Sequence, residues 1–207
     1  MDQSIYEISP CDDEDNSYFD PRVCVIGSGL AGSTHALAFS TKYRTIWFDP
    51  LWTDVREVTH GQNGTPNIKD IRYCNFYVII SFPRIVEIGD PDFSALWDAC
   101  ELVGKVISGG DIVVFDSCAY PIQSEKECIP RVEKVSGLTC NNHFFAGYSP
   151  GPLRFSDKEF SFWNAGKVTS GSTPEIAKLV DEVYLNVFGT GARSMPSIGD
   201  SEISGVG

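Results

Sequence analysis

The sequence is poor in the residues that metal and triad chemistry require. Its three histidines, His35, His60 and His143, lie far apart and nominate no catalytic triad. Seven cysteines include no C-x-x-C pair, which argues against a zinc site. Scattered and odd in number, they read as reduced thiols of a cytosolic, cytoplasmic chain. Positive charge is also scarce: 16 Lys and Arg against 28 Asp and Glu leave a formal net charge of −12. That balance argues against non-specific binding to nucleic acid or an anionic membrane, since either would be repelled. No apolar run approaches the roughly 20 residues that span a bilayer. Met1-Asp2-Gln3-Ser4 opens acidic and polar, so no secretory signal is expected.

What is present is globular. Hydrophobic residues make up 42% and aromatics 12% of 207 positions, enough for one domain with a core and short for two. Much of the negative charge is local, with Asp12, Asp13, Glu14 and Asp15 in a polar segment, so residues 1–20 read as an acidic flexible tail. From there apolar runs alternate with helical patterns over 21–190, the signature of an α/β, Rossmann-like doubly wound parallel sheet. Strands are predicted at 22–26, 45–48, 76–82, 111–115, 144–148 and 166–170, each nearly continuous in Val, Ile, Phe and Tyr. Their core is expected to be built mainly from Val23, Val25, Ile26, Ile46, Phe48, Val78, Ile80, Ile112, Val114 and Phe145. Helices are predicted at 92–107, at 124–136 with Ser124 and Glu127 as a capping box, and at 174–188 between Thr173 and Gly189. Between Asp49 and the strand at 76–82 only a possible helix at 53–60 and a turn-prone Gly61–Pro66 stretch intervene. The parallel strand that a Rossmann half places there is therefore expected to be missing.

The strongest local signal is Val23-Cys24-Val25-Ile26-Gly27-Ser28-Gly29-Leu30-Ala31-Gly32, followed by a helical run, then Thr45-Ile46-Trp47-Phe48 and Asp49. Strand, glycine-rich turn, helix, strand and acid is the physical recipe for holding a dinucleotide. Gly27 permits the tight turn, Gly29 lets backbone approach a pyrophosphate, and Gly32 lets the helix pack on the sheet. Phosphates would sit at the helix N-terminus, on free N–H groups and the positive end of the dipole. The Asp49 carboxylate is placed to accept from a ribose diol and to repel a 2′-phosphate, which predicts NAD over NADP. Gly27, Ser28, Gly29, Leu30, Ala31, Gly32 and Asp49 are thus the candidate cofactor-binding residues. The same turn also suits FAD.

Asp111-Ile112-Val113-Val114-Phe115-Asp116-Ser117-Cys118-Ala119-Tyr120-Pro121 resembles the D-I-V-V-Y-E-S-T-V-Y-P-G segment of the UDP-glucose/GDP-mannose dehydrogenase family. The stretches Glu127–Leu138, Phe144–Pro150 and Lys167–Glu175 follow in that family's order and spacing, and the likeness covers about 22–198. It looks nearest to the branch acting on UDP-N-acetylhexosamines and argues against the FAD alternative. The resemblance implies an NAD-dependent oxidoreductase of polysaccharide biosynthesis that oxidises the C6 hydroxymethyl of a nucleotide sugar, trapping an aldehyde on a cysteine. By the same resemblance Phe82, Pro83, Ser117 and Cys118 stand in the segments that face the cofactor. Cys118 has no histidine near it in sequence, so strand-end packing is favoured over a nucleophilic role. An exposed loop position is the favoured reading of Arg84, against a phosphate contact.

The departures are pointed. The family's Y-S-P-E-R loop reads Tyr148-Ser149-Pro150-Gly151-Pro152, so Gly151 replaces an acid that assists chemistry at C6. Gly205 stands where the family has a lysine, no G-G-x-C segment occurs, and residues 191–207 read as a remnant of the central-helix start, expected to be disordered. No catalytic and no metal-binding residue is therefore nominated. The reading is an NAD-binding domain of a nucleotide-sugar 6-dehydrogenase, inactive alone; the alternative is a non-catalytic nucleotide-binding or regulatory module. Its expected partners are a nucleotide cofactor and, weakly, a nucleotide sugar, with the family's oligomer interface missing.

Overall fold

The computed structural model describes residues 19–49, 54–58, 68–81, 92–117, 124–150, 168–189 and 193–194. Strand β1 (Arg22–Ile26) leads through the glycine turn into helix α1 (Gly29–Ser40) and strand β2 (Arg44–Asp49). Strand β3 (Asp54–Val58), a 3-10 turn (Ile68–Tyr73) and strand β4 (Phe76–Ile79) follow. Helix α2 (Ser94–Gly104), strand β5 (Ile112–Ser117), helix α3 (Ile129–Ser136) and strand β6 (Phe145–Pro150) continue the alternation. Strand β7 (Val168–Gly171), helix α4 (Pro174–Phe188) and the two-residue strand β8 (Arg193–Ser194) complete the described chain.

The strands form one sheet in the order β3-β2-β1-β4-β5-β6-β7-β8. From β2 to β6 every pairing is parallel, whereas β3 runs antiparallel to β2 and β7 antiparallel to β6. Parallel strands need both faces covered, and the side-chain alternation of β1 supplies both. Val23 and Val25 enter one apolar layer beneath α1 and α4; Cys24 and Ile26 enter the other beneath α2 and α3. Nine of the ten expected core residues are buried, and Phe145 is half-buried against the α4 layer.

Two local expectations are corrected. Residues 54–58, read as a possible helix, form the antiparallel edge strand β3, paired from Thr45↔Val58 to Asp49↔Asp54. An edge strand needs only one ladder partner and a short connection, so it leaves no long apolar run in the sequence. No parallel strand occupies that position among the described residues. The helix read from Ser124 opens instead with a wide π turn at Ser124–Cys128, and α3 begins at Ile129. Pro130, with no N–H to give, blocks the ordinary ladder through that turn.

At the other boundary, Phe19 packs edge-on against Phe76 with ring centroids 6.4 Å apart, and the Asn75 side chain donates to the Asp20 carbonyl at 3.1 Å. Packing thus begins within the segment read as a tail. The ends of α4 match the expectation: the Thr173 hydroxyl accepts from the Ile176 N–H at 3.3 Å, and Pro174 stands in the first turn.

Candidate nucleotide site

The strand order reverses between β1 and β4, and in open α/β sheets ligands bind in the crevice at the carboxyl ends of strands at such a switch point. The turn after β1 lies at that crevice and is clamped on both sides. The Gly27 N–H donates to the Phe48 carbonyl at 3.0 Å, and the Ile80 N–H donates to the Ile26 carbonyl at 2.8 Å. From β2 the Trp47 indole N–H donates to the Gly27 carbonyl at 2.8 Å.

Three glycines here do three different jobs. A Cβ on Gly27 would stand 2.8 Å from both the Cβ and the carbonyl oxygen of Ile80. A Cβ on Gly32 would be driven into the Gly27 carbonyl, so only glycine lets α1 cross the turn at this separation. Gly29 has φ +64°, and nothing lies within 4 Å of where its Cβ would be. Its backbone therefore faces open space in a conformation that L side chains rarely adopt. At the helix start, Ser28 provides no side-chain cap and the first turn carries no acidic residue. N–H groups at a helix N-terminus are what an anion uses.

Asp49 ends β2 and is only 5% exposed. Its Oδ2 accepts from the Gly29 N–H at 3.1 Å, so the acid is tied to the turn itself. Leu30, the next residue of the turn, is 66% exposed, whereas Ala31 is half-buried against the α4 layer. Of the remaining candidates, Ser117 ends β5 opposite Pro150. Phe82, Pro83 and Cys118 lie outside the described residues. The structure thus brings Gly27, Ser28, Gly29, Leu30, Ala31, Gly32 and Asp49 together, with the end of β5 two strands away across β4.

One polar group had no sequence signal. His35 of α1, Asp116 of β5 and Tyr184 of α4 meet in the layer beneath α1, with His35 Nε2 3.4 Å from Asp116 Oδ2. The Tyr184 hydroxyl donates to the same oxygen at 3.1 Å. Burial, reinforced by the neighbouring Asp116 charge, pushes the Tyr184 phenol well above its usual range. Elsewhere, Cys24, Cys74, Cys100 and Cys128 are buried free thiols. Among the described residues no three of His, Cys, Asp and Glu converge as metal ligands, and no helix is long and apolar enough to cross a membrane.

Sheet order, glycine turn and acid together define a Rossmann-type fold. UDP-D-ManNAc dehydrogenase of Pyrococcus horikoshii superposes with a TM-score of 0.73 at 20% identity, over 89% of this chain and 49% of that one. GDP-mannose dehydrogenase of Pseudomonas aeruginosa, solved as a ternary complex, gives 0.71 at 19% identity, over 89% and 48%. No protein-family model matches the chain. By sequence it is 36% identical over 204 residues to a UDP-N-acetyl-D-glucosamine 6-dehydrogenase of Pseudomonas aeruginosa, covering 90% of this chain and 48% of the relative. The Salmonella typhi protein of the same description is 34% identical over 89% and 48%. The chain is thus similar to the N-terminal part of UDP-N-acetyl-D-glucosamine 6-dehydrogenases and spans about half the length of the curated relatives it matches.

Proposed function

We propose that this chain is the NAD-binding part of a nucleotide-sugar 6-dehydrogenase, and that by itself it binds the dinucleotide without oxidising the sugar. The observation that carries this is the Asp49 carboxylate, buried at the end of β2 and hydrogen-bonded to the Gly29 amide at the start of α1. That placement gives one negative group beside an anion-binding helix start, as a ribose diol and its adjoining pyrophosphate require. The open space at Gly29 fits a close approach by phosphate, since a Cβ would fill it. The turn amides from Gly29 to Ala31 would hold the pyrophosphate, and Asp49 would exchange toward the ribose hydroxyls. When bound, the nicotinamide would supply hydride-accepting chemistry. The residues of this chain would bind and orient the dinucleotide, with Ser117 at the β5 end; by family resemblance Phe82, Pro83 and Cys118 would contribute as well.

The substrate class suggested by the relatives' names is a UDP-N-acetylhexosamine. The acid and the cation of the family pattern are glycines here, Gly151 and Gly205, and neither can move a proton or stabilise an oxyanion through a side chain. Calorimetric titration with NAD, NADH, NADP and NADPH tests the binding. NAD(H) is expected to bind, weakly, and more tightly than NADP(H). Equal or tighter NADP(H) binding would overturn the role given to Asp49, and absence of all four would overturn the nucleotide site.

A further inference from the structure

The group formed by His35, Asp116 and Tyr184 has no part in the site as described above, yet it lies directly behind it. His35 Nδ1 is 2.8 Å from the Ala31 carbonyl oxygen. A carbonyl can only accept, so that nitrogen carries the hydrogen. The other ring nitrogen faces Asp116 Oδ2, and both residues are 1% exposed. Asp116 Oδ2 also accepts from the Tyr184 hydroxyl, which fixes the carboxylate from a third element. Phe39 and Phe188 pack on these rings, with Tyr184 5.5 Å from Phe39 and His35 6.1 Å from Phe188 between centroids.

Such a network is a poor device for stability. Burying a polar pair costs desolvation, and apolar side chains of similar volume often serve as well or better. What it does give is direction. Ala31 lies in the first turn of α1, between Gly29 and Gly32, and Asp116 immediately precedes Ser117 at the carboxyl end of β5. This chain of polar contacts therefore ties the glycine turn to the other strand end of the crevice and to α4.

We propose that His35 is a positioning residue of the nucleotide site: held by Asp116 and Tyr184, it fixes the Ala31 carbonyl and with it the orientation of the α1 first turn. The proposal rests on the nucleotide-binding reading given above. Preorganisation of this kind acts on affinity by setting amide direction before the ligand arrives.

The test is a triple variant, His35→Leu/Asp116→Val/Tyr184→Phe, which replaces the network by apolar groups. Thermal unfolding and NAD calorimetry are measured together. The expected result is a Tm at or above that of the unaltered chain with NAD affinity about tenfold weaker. Should the triple variant fail to fold, Tyr184→Phe is compared with Val132→Ala, a cavity variant beneath α3 on the opposite face of the sheet. The former is then expected to weaken NAD binding severalfold at a matched loss of Tm, and the latter to leave binding unchanged. If the unaltered chain binds NAD and the variants bind it equally well, or if binding merely tracks Tm in both, the positioning role is overturned while the nucleotide site stands. An unaltered chain that binds no nucleotide overturns both.

Discussion

The carboxylate of Asp49 accepts a hydrogen bond from the Gly29 amide at 3.1 Å, so the acid ending β2 is fastened to the turn that opens α1. The two residues are thus coupled: the group that would select the ribose also occupies an amide at the place where phosphate charge would gather. A bound nucleotide would exchange this bond.

Replacing Asp49 by Asn keeps an acceptor oxygen but removes the charge. NAD affinity is expected to fall and the discrimination against NADP to shrink by about tenfold, as loss of a repelling charge near a 2′-phosphate implies. Titration of both cofactors against both proteins checks this. Unchanged discrimination would detach Asp49 from cofactor choice.

The turn glycines are expected to separate stability from binding. Gly32→Ala drives a methyl into the Gly27 carbonyl and is expected to destabilise the domain by roughly 2–4 kcal/mol in urea unfolding. Gly29→Ala meets no atom and carries only the left-handed backbone penalty of about 1–2 kcal/mol. It is nevertheless expected to lose more nucleotide affinity than stability, because its methyl enters the space a phosphate would use.

Asp111, at the start of β5, has its carboxyl pushed up from 3.8 to about 6, chiefly by burial, against an opposing hydrogen bond from the Ser108 N–H at 2.7 Å. A folded-state value above the unfolded one means the folded chain holds the proton more tightly. This group's contribution to stability is full below about pH 4 and is lost as pH rises through about 6. Asp111→Asn is therefore expected to gain in Tm relative to the unaltered chain as pH is raised from about 4 to about 7. A Tm difference that is flat over that window would refute the assignment.

Mixing the purified chain with NAD and UDP-N-acetylhexosamines is expected to give no NADH absorbance. Removing a single preorganised oxyanion donor typically costs about 100- to 1000-fold in rate. By the family resemblance, the positions of the acid and the cation hold glycines here, Gly151 and Gly205. Turnover that disappears in a Gly29→Ala variant, and so does not come from a contaminant, would overturn the expectation.

The inner strands could be read from the sequence because a parallel strand buried on both faces is apolar at nearly every position. Arg22–Ile26 is observed with the predicted limits, and β2, β4 and β5 fall within a few residues of theirs. Strand β3 could not be read that way. Asp54-Val55-Arg56-Glu57-Val58 carries three charged residues in five and, among the described residues, is held by a ladder to β2 alone. Its strand character comes from that pairing, not from its own pattern.

Local order determined the nucleotide-type turn: Gly27, Gly29, Gly32 and Asp49 are legible because each answers a steric or charge requirement set within one βαβ unit. The tertiary structure alone decided that Asp49 bonds the Gly29 amide, that Trp47 holds the Gly27 carbonyl, and that His35 meets Asp116 and Tyr184. In the sequence His35 was one of three scattered histidines, and Tyr184 carried no signal of its own. Their contact spans three elements, and sequence periodicity says which face a residue occupies but not what stands across from it. Only the assembled sheet, with α1 and α4 on one side of β5, puts those groups within hydrogen-bonding reach.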